Sequence, residues 1–187
     1  MSPATRVDRA ALVRRAFVEL VAERGFRGAS MAAVAEHAGV ATGTAYVHYA
    51  SKDELVLAAY REVKAELGAA TASIDWTQAP PLRFRAMWRA VHDHLAADPV
   101  RARFLVQVDA SPYAGAAHGE AVADPGDQLA RAASARDMRS YLTDLPLEVL
   151  YDLGLGPAVR LAARGERLSA VQLDRLATAC WRAITHG

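Results

Sequence analysis

Cysteine is almost absent from this 187-residue chain. Cys180 stands alone, which excludes an internal disulfide and any zinc site built on cysteines. Lysine is nearly as scarce, two against twenty arginines, and the formal net charge is only +1. No uncharged stretch approaches the roughly 18–20 residues of a membrane span. The longest, residues 37–51, carries Gly, Thr and His and makes a poor lipid partner. The first ten residues hold Arg6, Asp8 and Arg9 in place of an apolar signal core, so a reducing cytoplasm is the expected location. What is present is a 52% hydrophobic composition, enough for a sizeable core. Alanine supplies about a fifth of the chain, a composition that favours helix.

The small net charge hides an asymmetry. Through residue 52 there are seven basic and four acidic residues, a balance of +3; the remainder holds fifteen against seventeen, a balance of −2. A basic N-terminal part on a mildly acidic body points to a polyanionic partner for the first part alone.

Apolar residues recur at helical spacing throughout, without β-branched alternation. Val13, Ala16, Phe17 and Leu20 share one face of a first helix, which Gly25 stops. Ser30 caps a second helix carrying Met31, Val34, Ala35 and Ala38, ended by Gly39. A third, short helix fits residues 42–49. Ser51 and Glu54 form a capping box that opens a fourth, with Val56, Tyr60, Val63 and Leu67 on its apolar stripe. Residues 71–81 read as a loop. A fifth helix then carries Phe84, Met87, Trp88, Val91 and Leu95, and Asp98-Pro99 starts a sixth. Between residues 111 and 145, Gly115, Gly119 and Asp124-Pro125-Gly126 break the pattern into short helical pieces. Pro146 opens a penultimate helix bent at Gly156-Pro157, and Ser169 with Gln172 caps the last. The expected fold class is all-α, about nine helices: a three-helix head over residues 1–50 and a larger helical body over 51–187.

The informative stretch runs from Ser30 to Leu55. Two short helices flank Gly39-Val40-Ala41, a tight turn with glycine where a helix must stop. This is the arrangement of a helix-turn-helix, whose second helix enters the major groove. That helix begins with the small residues Ala41, Thr42, Gly43, Thr44 and Ala45, which let a backbone approach base edges; threonine also offers a hydroxyl and a methyl. Tyr46, His48 and Lys52 behind them carry donors of a length suited to flanking phosphates.

At these residues the chain resembles the tetracycline-repressor-like (TetR) family of bacterial transcription regulators. The matching residues are Ser30, Val34-Ala35, Ala38-Gly39-Val40, Gly43-Thr44, Tyr46, His48-Tyr49 and Lys52 ahead of Asp53-Glu54-Leu55, with Gly25-Phe26 before them. They span about fifty residues; Ala45 and Tyr49 stand where larger aliphatics and Phe are common. The resemblance implies a homodimer that reads a palindromic DNA operator. It places Ala41, Thr42, Gly43 and Thr44 against bases, and Tyr46, His48 and Lys52 on phosphates. Ser30 takes a further phosphate, Tyr49 is counted with the DNA-facing set, and Arg6 or Arg9 reaches a minor groove. It further implies repression relieved when a small-molecule effector enters the body, and the fourth helix, joined directly to the recognition helix, is the expected lever.

In the body, Met87, Trp88, Val91, Phe104, Leu105 and Val108 are core residues that would also line an effector cavity, with His92, Gln107 and Tyr113 as polar points. His92 and His94 do not make a metal pair, because side chains at i and i+2 of a helix diverge by about 200°; no metal or cofactor is expected. Leu150, Leu153, Gly154, Pro157 and Leu161 on the penultimate helix, with Leu173, Leu176, Ala177, Cys180 and Ile184 on the last, form stripes suited to a four-helix dimer contact. Two other readings compete. An enzyme would need a nucleophile–base arrangement, a glycine-rich phosphate loop or metal-ligand spacing, none of which the sequence offers. A constitutive DNA-binding protein without an effector would share the whole head and differ only in the body.

Overall fold

Short polar side chains mark where five helices of this protein begin. In the computed structural model, which describes residues 8–123 and 136–186, Asp8, Ser30, Ser51, Asp98 and Ser169 each accept a backbone N–H of the helix they precede. The described chain forms α1 (Arg9–Gly28), α2 (Met31–His37), α3 (Thr42–His48), α4 (Lys52–Ala70), α5 (Pro80–Ala97) and α6 (Pro99–Asp109). There follow α7 (Ala114–Ala123), α8 (Arg136–Arg139), α9 (Leu147–Leu153), α10 (Gly156–Arg164) and α11 (Ala170–Ile184). Among the described residues there is no strand; an isolated bridge between Leu142 and Thr185 ties the chain end to the segment ahead of α9. Arg6 and Asp124-Pro125-Gly126 lie outside the described residues.

The all-α reading holds, and the helix count exceeds nine for two reasons. Residues 136–139 make a separate single turn. More telling, the one bent helix expected after Pro146 is two helices, broken at Gly154 (φ −85°, ψ −81°). The break frees the Gly154 carbonyl to accept the Trp88 indole N–H at 3.2 Å. It also brings the backbone so close to its surroundings that a Cβ here would stand 2.7 Å from the Leu150 oxygen and 3.3 Å from Ile184 Cδ1. Glycine is needed for that approach.

Head and body share one continuous core. Phe17 of α1 is fully buried, with its ring 6.2 Å from Phe26 on one side and 6.2 Å, edge-on, from Phe104 of α6 on the other. Phe26 follows Gly25, whose φ of +67° and ψ of 178° interrupt α1 and turn the last helical turn aside. On its other side Phe26 meets Tyr113 at 5.1 Å, across the seam. Such ring pairs contribute about 0.5–1.5 kcal/mol each beyond their buried area.

On the last helices, Gly154, Leu161, Leu173, Ala177, Cys180 and Ile184 are buried within the chain, Leu150, Pro157 and Leu176 are half-buried, and Leu153 is exposed. Helix α10 packs on α5 and α6 and α11 on α5 of the same chain. Among the described residues, no helix is long and apolar enough to cross a membrane.

Candidate nucleic-acid interface

The turn between α2 and α3 is built from backbone bonds that leave its outer side bare. Gly39 adopts φ +67°, a conformation open to glycine at little cost. Its N–H donates to Glu36 O at 3.1 Å and that of Val40 to Ala35 O at 3.0 Å. The small Ala45, fully buried, lets α3 lie close on α2. One α3 face is therefore fixed inward and the opposite face turned out. Ala41, Thr42, Gly43 and His48 are exposed, Tyr46 is 51% exposed and Thr44 is half-buried. Ser30, exposed at the start of α2, accepts the Ala33 amide at 3.2 Å.

Two residues of the expected set sit differently. Tyr49 is only 5% exposed and does not face outward. Its hydroxyl accepts from Arg14 Nη1 at 2.6 Å and donates to the Ala10 carbonyl at 3.3 Å. Arg14 also pairs with Glu62, so the tyrosine stands at the join of α1, α3 and α4, beneath the interface and not on it. Lys52 is half-buried: its ammonium donates to the Phe26 carbonyl and lies 5.8 Å from the centroid of that ring. Burial lowers its pKa from the ordinary lysine value. It closes the α1 kink against the start of α4.

Sequence reasoning passed over Val47, which is 82% exposed on the outer face of α3 beside Tyr46 and one turn beyond Gly43. The signal was present: an apolar residue at i+4 from a glycine that faces out must also face out.

The seam between head and body continues from Lys52. Tyr113 donates its hydroxyl to Asp53 Oδ1 at 2.8 Å, and burial with this carboxylate contact raises its pKa. The α6–α7 link is thereby tied to the first turn of α4. Gln107 also lies at this seam: it is exposed, and a Cβ built on Gly25 would stand 3.5 Å from its Oε1. Both residues, expected as polar points of a cavity, are instead contacts between the parts. Met87, Trp88, Val91, Phe104, Leu105 and Val108 are buried in the shared core. His92 is buried too, stacked 5.7 Å from Trp88 with Nδ1 2.9 Å from Asp93 Oδ1, while its Nε2 lacks a partner among the described residues.

A polar cluster that no spacing in the sequence announced lies under α4. His118 Nε2 is 3.0 Å from Asp109 Oδ1, whose other oxygen accepts the Tyr151 hydroxyl at 3.4 Å. The His118 ring sits between Tyr151, at 5.4 Å, and Tyr60 of α4, at 6.1 Å. Burial, then the Asp109 carboxylate, pushes the Tyr151 phenol well above its ordinary pKa. Among the described residues, no group of three His, Cys, Asp or Glu is placed to hold a metal.

Residues 13–59 match the family of bacterial regulatory proteins, tetR family, and residues 81–185 match the tetracyclin repressor-like C-terminal domain. Among solved structures, a TetR-family transcriptional regulator from Haemophilus influenzae superposes with a TM-score of 0.74 at 25% identity, covering 96% of this chain and 97% of that one. A TetR family transcription regulator from Marinobacter aquaeolei gives 0.75 at 18%, with 95% of each chain covered. A TetR-like regulator from a Rhodococcus species gives 0.68 at 21%, over 97% and 98%. No curated protein matches the chain in sequence.

Proposed function

Because this chain belongs to the TetR family of bacterial regulatory proteins, we propose that it acts as a cytoplasmic homodimeric repressor, bound to a palindromic operator and released by a small molecule. In this reading residues 1–50 bind DNA, and 51–187 carry the effector and subunit contacts. The observation that carries it is the outward face of α3: small residues and hydroxyls on a helix whose other side is buried. Thr42, Gly43 and Thr44 approach base edges, and Val47 offers an apolar contact for a thymine methyl. Tyr46 and His48 take flanking phosphates and Ser30 one near the start of α2, while Lys52 and Tyr49 hold the recognition unit in register from behind.

The slope of log affinity against log salt concentration falls by about 0.9 for each phosphate that a lysine or arginine neutralises, and Tyr46 and His48 are neither. Tyr46→Ala combined with His48→Ala is expected to weaken binding to all sequences alike while leaving that slope nearly unchanged. Thr44→Ala is expected to change base preference at one operator position. Titrations against several operator sequences check both; a loss confined to some sequences in the double variant removes the phosphate role.

Release by an effector draws on the cluster of Asp109, His118 and Tyr151, which packs against α4 through Tyr60. A ligand bound there reaches the DNA only if it favours one position of α4, and Tyr113–Asp53 is the contact through which α6 and α7 act on that helix. Coupling of about 1–3 kcal/mol changes operator affinity about 5–150-fold. A regulator without effector is the second reading, favoured by the dense burial of Trp88, Phe104 and Val108 where a cavity was expected.

A further inference from the structure

Tyr49 ends the recognition helix and ties it to another. Its backbone N–H closes α3 by donating to the Ala45 carbonyl at 2.9 Å. Its side chain leaves α3 for α1, where the hydroxyl donates to the Ala10 carbonyl at 3.3 Å and accepts from Arg14 Nη1 at 2.6 Å. Ala10 and Arg14 are four residues apart on α1, so they share one face and present an acceptor and a donor to the same hydroxyl. Burial raises the pKa of this phenol, which keeps its proton in place for Ala10.

The Arg14 guanidinium carries the tie onward. Its Nε donates to Glu62 Oε2 of α4. At the other end of α1, Lys52 in the first turn of α4 donates to the Phe26 carbonyl. Helix α4 is thus fastened to α1 at two points, Lys52 to Phe26 and Glu62 to Arg14, about 15 Å apart along its axis. One fastening would let α4 pivot; two fix its direction on α1. Tyr49 hangs the end of α3 on the same arginine that holds Glu62, so the orientations of α3 and α4 meet in one side chain. A planar guanidinium suits that place, because its donors project at fixed angles and serve two partners at once, whereas a lysine ammonium is a flexible point charge.

We propose that Arg14 and Tyr49 are positioning residues for DNA binding, which together with Glu62 set the recognition helix α3 at one angle to α4. This rests on the DNA-binding reading above and names the residues that aim the helix it uses. A recognition helix that is slightly turned keeps its attraction to phosphates, but it loses the alignment that hydrogen bonds to base edges demand. Lost aim therefore shows as lost discrimination between sequences, with non-specific affinity kept.

Tyr49→Phe, Arg14→Lys and Glu62→Ala in the full-length protein test this by fluorescence anisotropy against two duplexes. One is a duplex that the wild type recovers from genomic DNA; the other has the same length and an unrelated sequence. Each variant is expected to bind the recovered duplex about tenfold more weakly and the unrelated duplex within about twofold of wild type. Tyr49→Phe combined with Glu62→Ala is expected to lose no more than either change alone, since one chain of bonds is then cut twice. Tyr49→Phe keeps the buried ring, and circular dichroism with a urea titration establishes that each variant is folded under the assay conditions. Wild-type affinity for the recovered duplex in any of the three, whatever the urea midpoint, overturns the proposal and leaves the DNA-binding reading standing. Equal losses on both duplexes overturn it as well, and so does a double variant whose losses multiply. A wild type that enriches no duplex overturns the DNA-binding reading and the positioning role with it.

Discussion

Phe17→Ala is expected to lower the unfolding free energy by about 3–5 kcal/mol. The ring is wholly enclosed, flanked by Phe26 and Phe104, and it sits where α1 of the head crosses α6 of the body. Truncation removes the ring's transfer free energy and leaves a cavity bounded by two other rings that are themselves fixed by Tyr113 and the core. Against a total of about 5–15 kcal/mol for an ordinary domain, that loss is large. Urea denaturation should show a lower midpoint with an unchanged slope, since the surface exposed on unfolding scarcely changes. A loss under about 1 kcal/mol would mean that the head does not depend on the body through this ring.

The second large effect concerns DNA and leaves the fold alone. A Cβ placed on Gly43 meets nothing within 4 Å, and the residue lies on a regular helix with its face outward. Gly43→Glu therefore adds a side chain without a clash, and replacing glycine in a helix gains up to about 1 kcal/mol of propensity. The melting temperature is expected to hold or rise. Operator affinity is expected to fall about 100-fold or more, because the carboxylate occupies space needed for base edges and faces a polyanion. Fluorescence anisotropy with an operator duplex reads the affinity, and a thermal melt reads the fold. Affinity within about threefold of wild type would mean that α3 does not lie against the bases.

Much of the head was legible because its signals are local. Ser30 and Ser51 accept the N–H three residues on, as their spacing implied, although the Glu54 side chain takes the Ala50 amide and not that of Ser51. Gly25 and Gly39 both adopt positive φ, as helix stops at those points require. The body was harder for a physical reason. Periodicity reveals that α10 and α11 each have one apolar face, but not whether that face is covered by the same chain or by a second one. Leu161, Leu173, Ala177 and Cys180 satisfy either demand equally, and the fold uses them inside. Tyr49 was misplaced for a similar reason: a tyrosine one residue from an exposed histidine reads as surface until Arg14, 35 positions away, is seen to hold its hydroxyl. The Asp109–His118–Tyr151 cluster joins residues up to 42 positions apart, and no local pattern brings them together. Gly154 lay in the same apolar stripe, and no periodicity shows that its missing Cβ makes room for Leu150 and Ile184 of its own chain.

Selection of bound fragments from genomic DNA by the purified full-length protein, followed by titration of the recovered sequence, tests the central claim most directly. The account predicts an inverted repeat whose half-sites lie about 34–36 Å apart, one turn of duplex, or a multiple of it, occupied by two chains. Recovery of unpaired half-sites each holding a single chain, or no enrichment at low ionic strength, would contradict it.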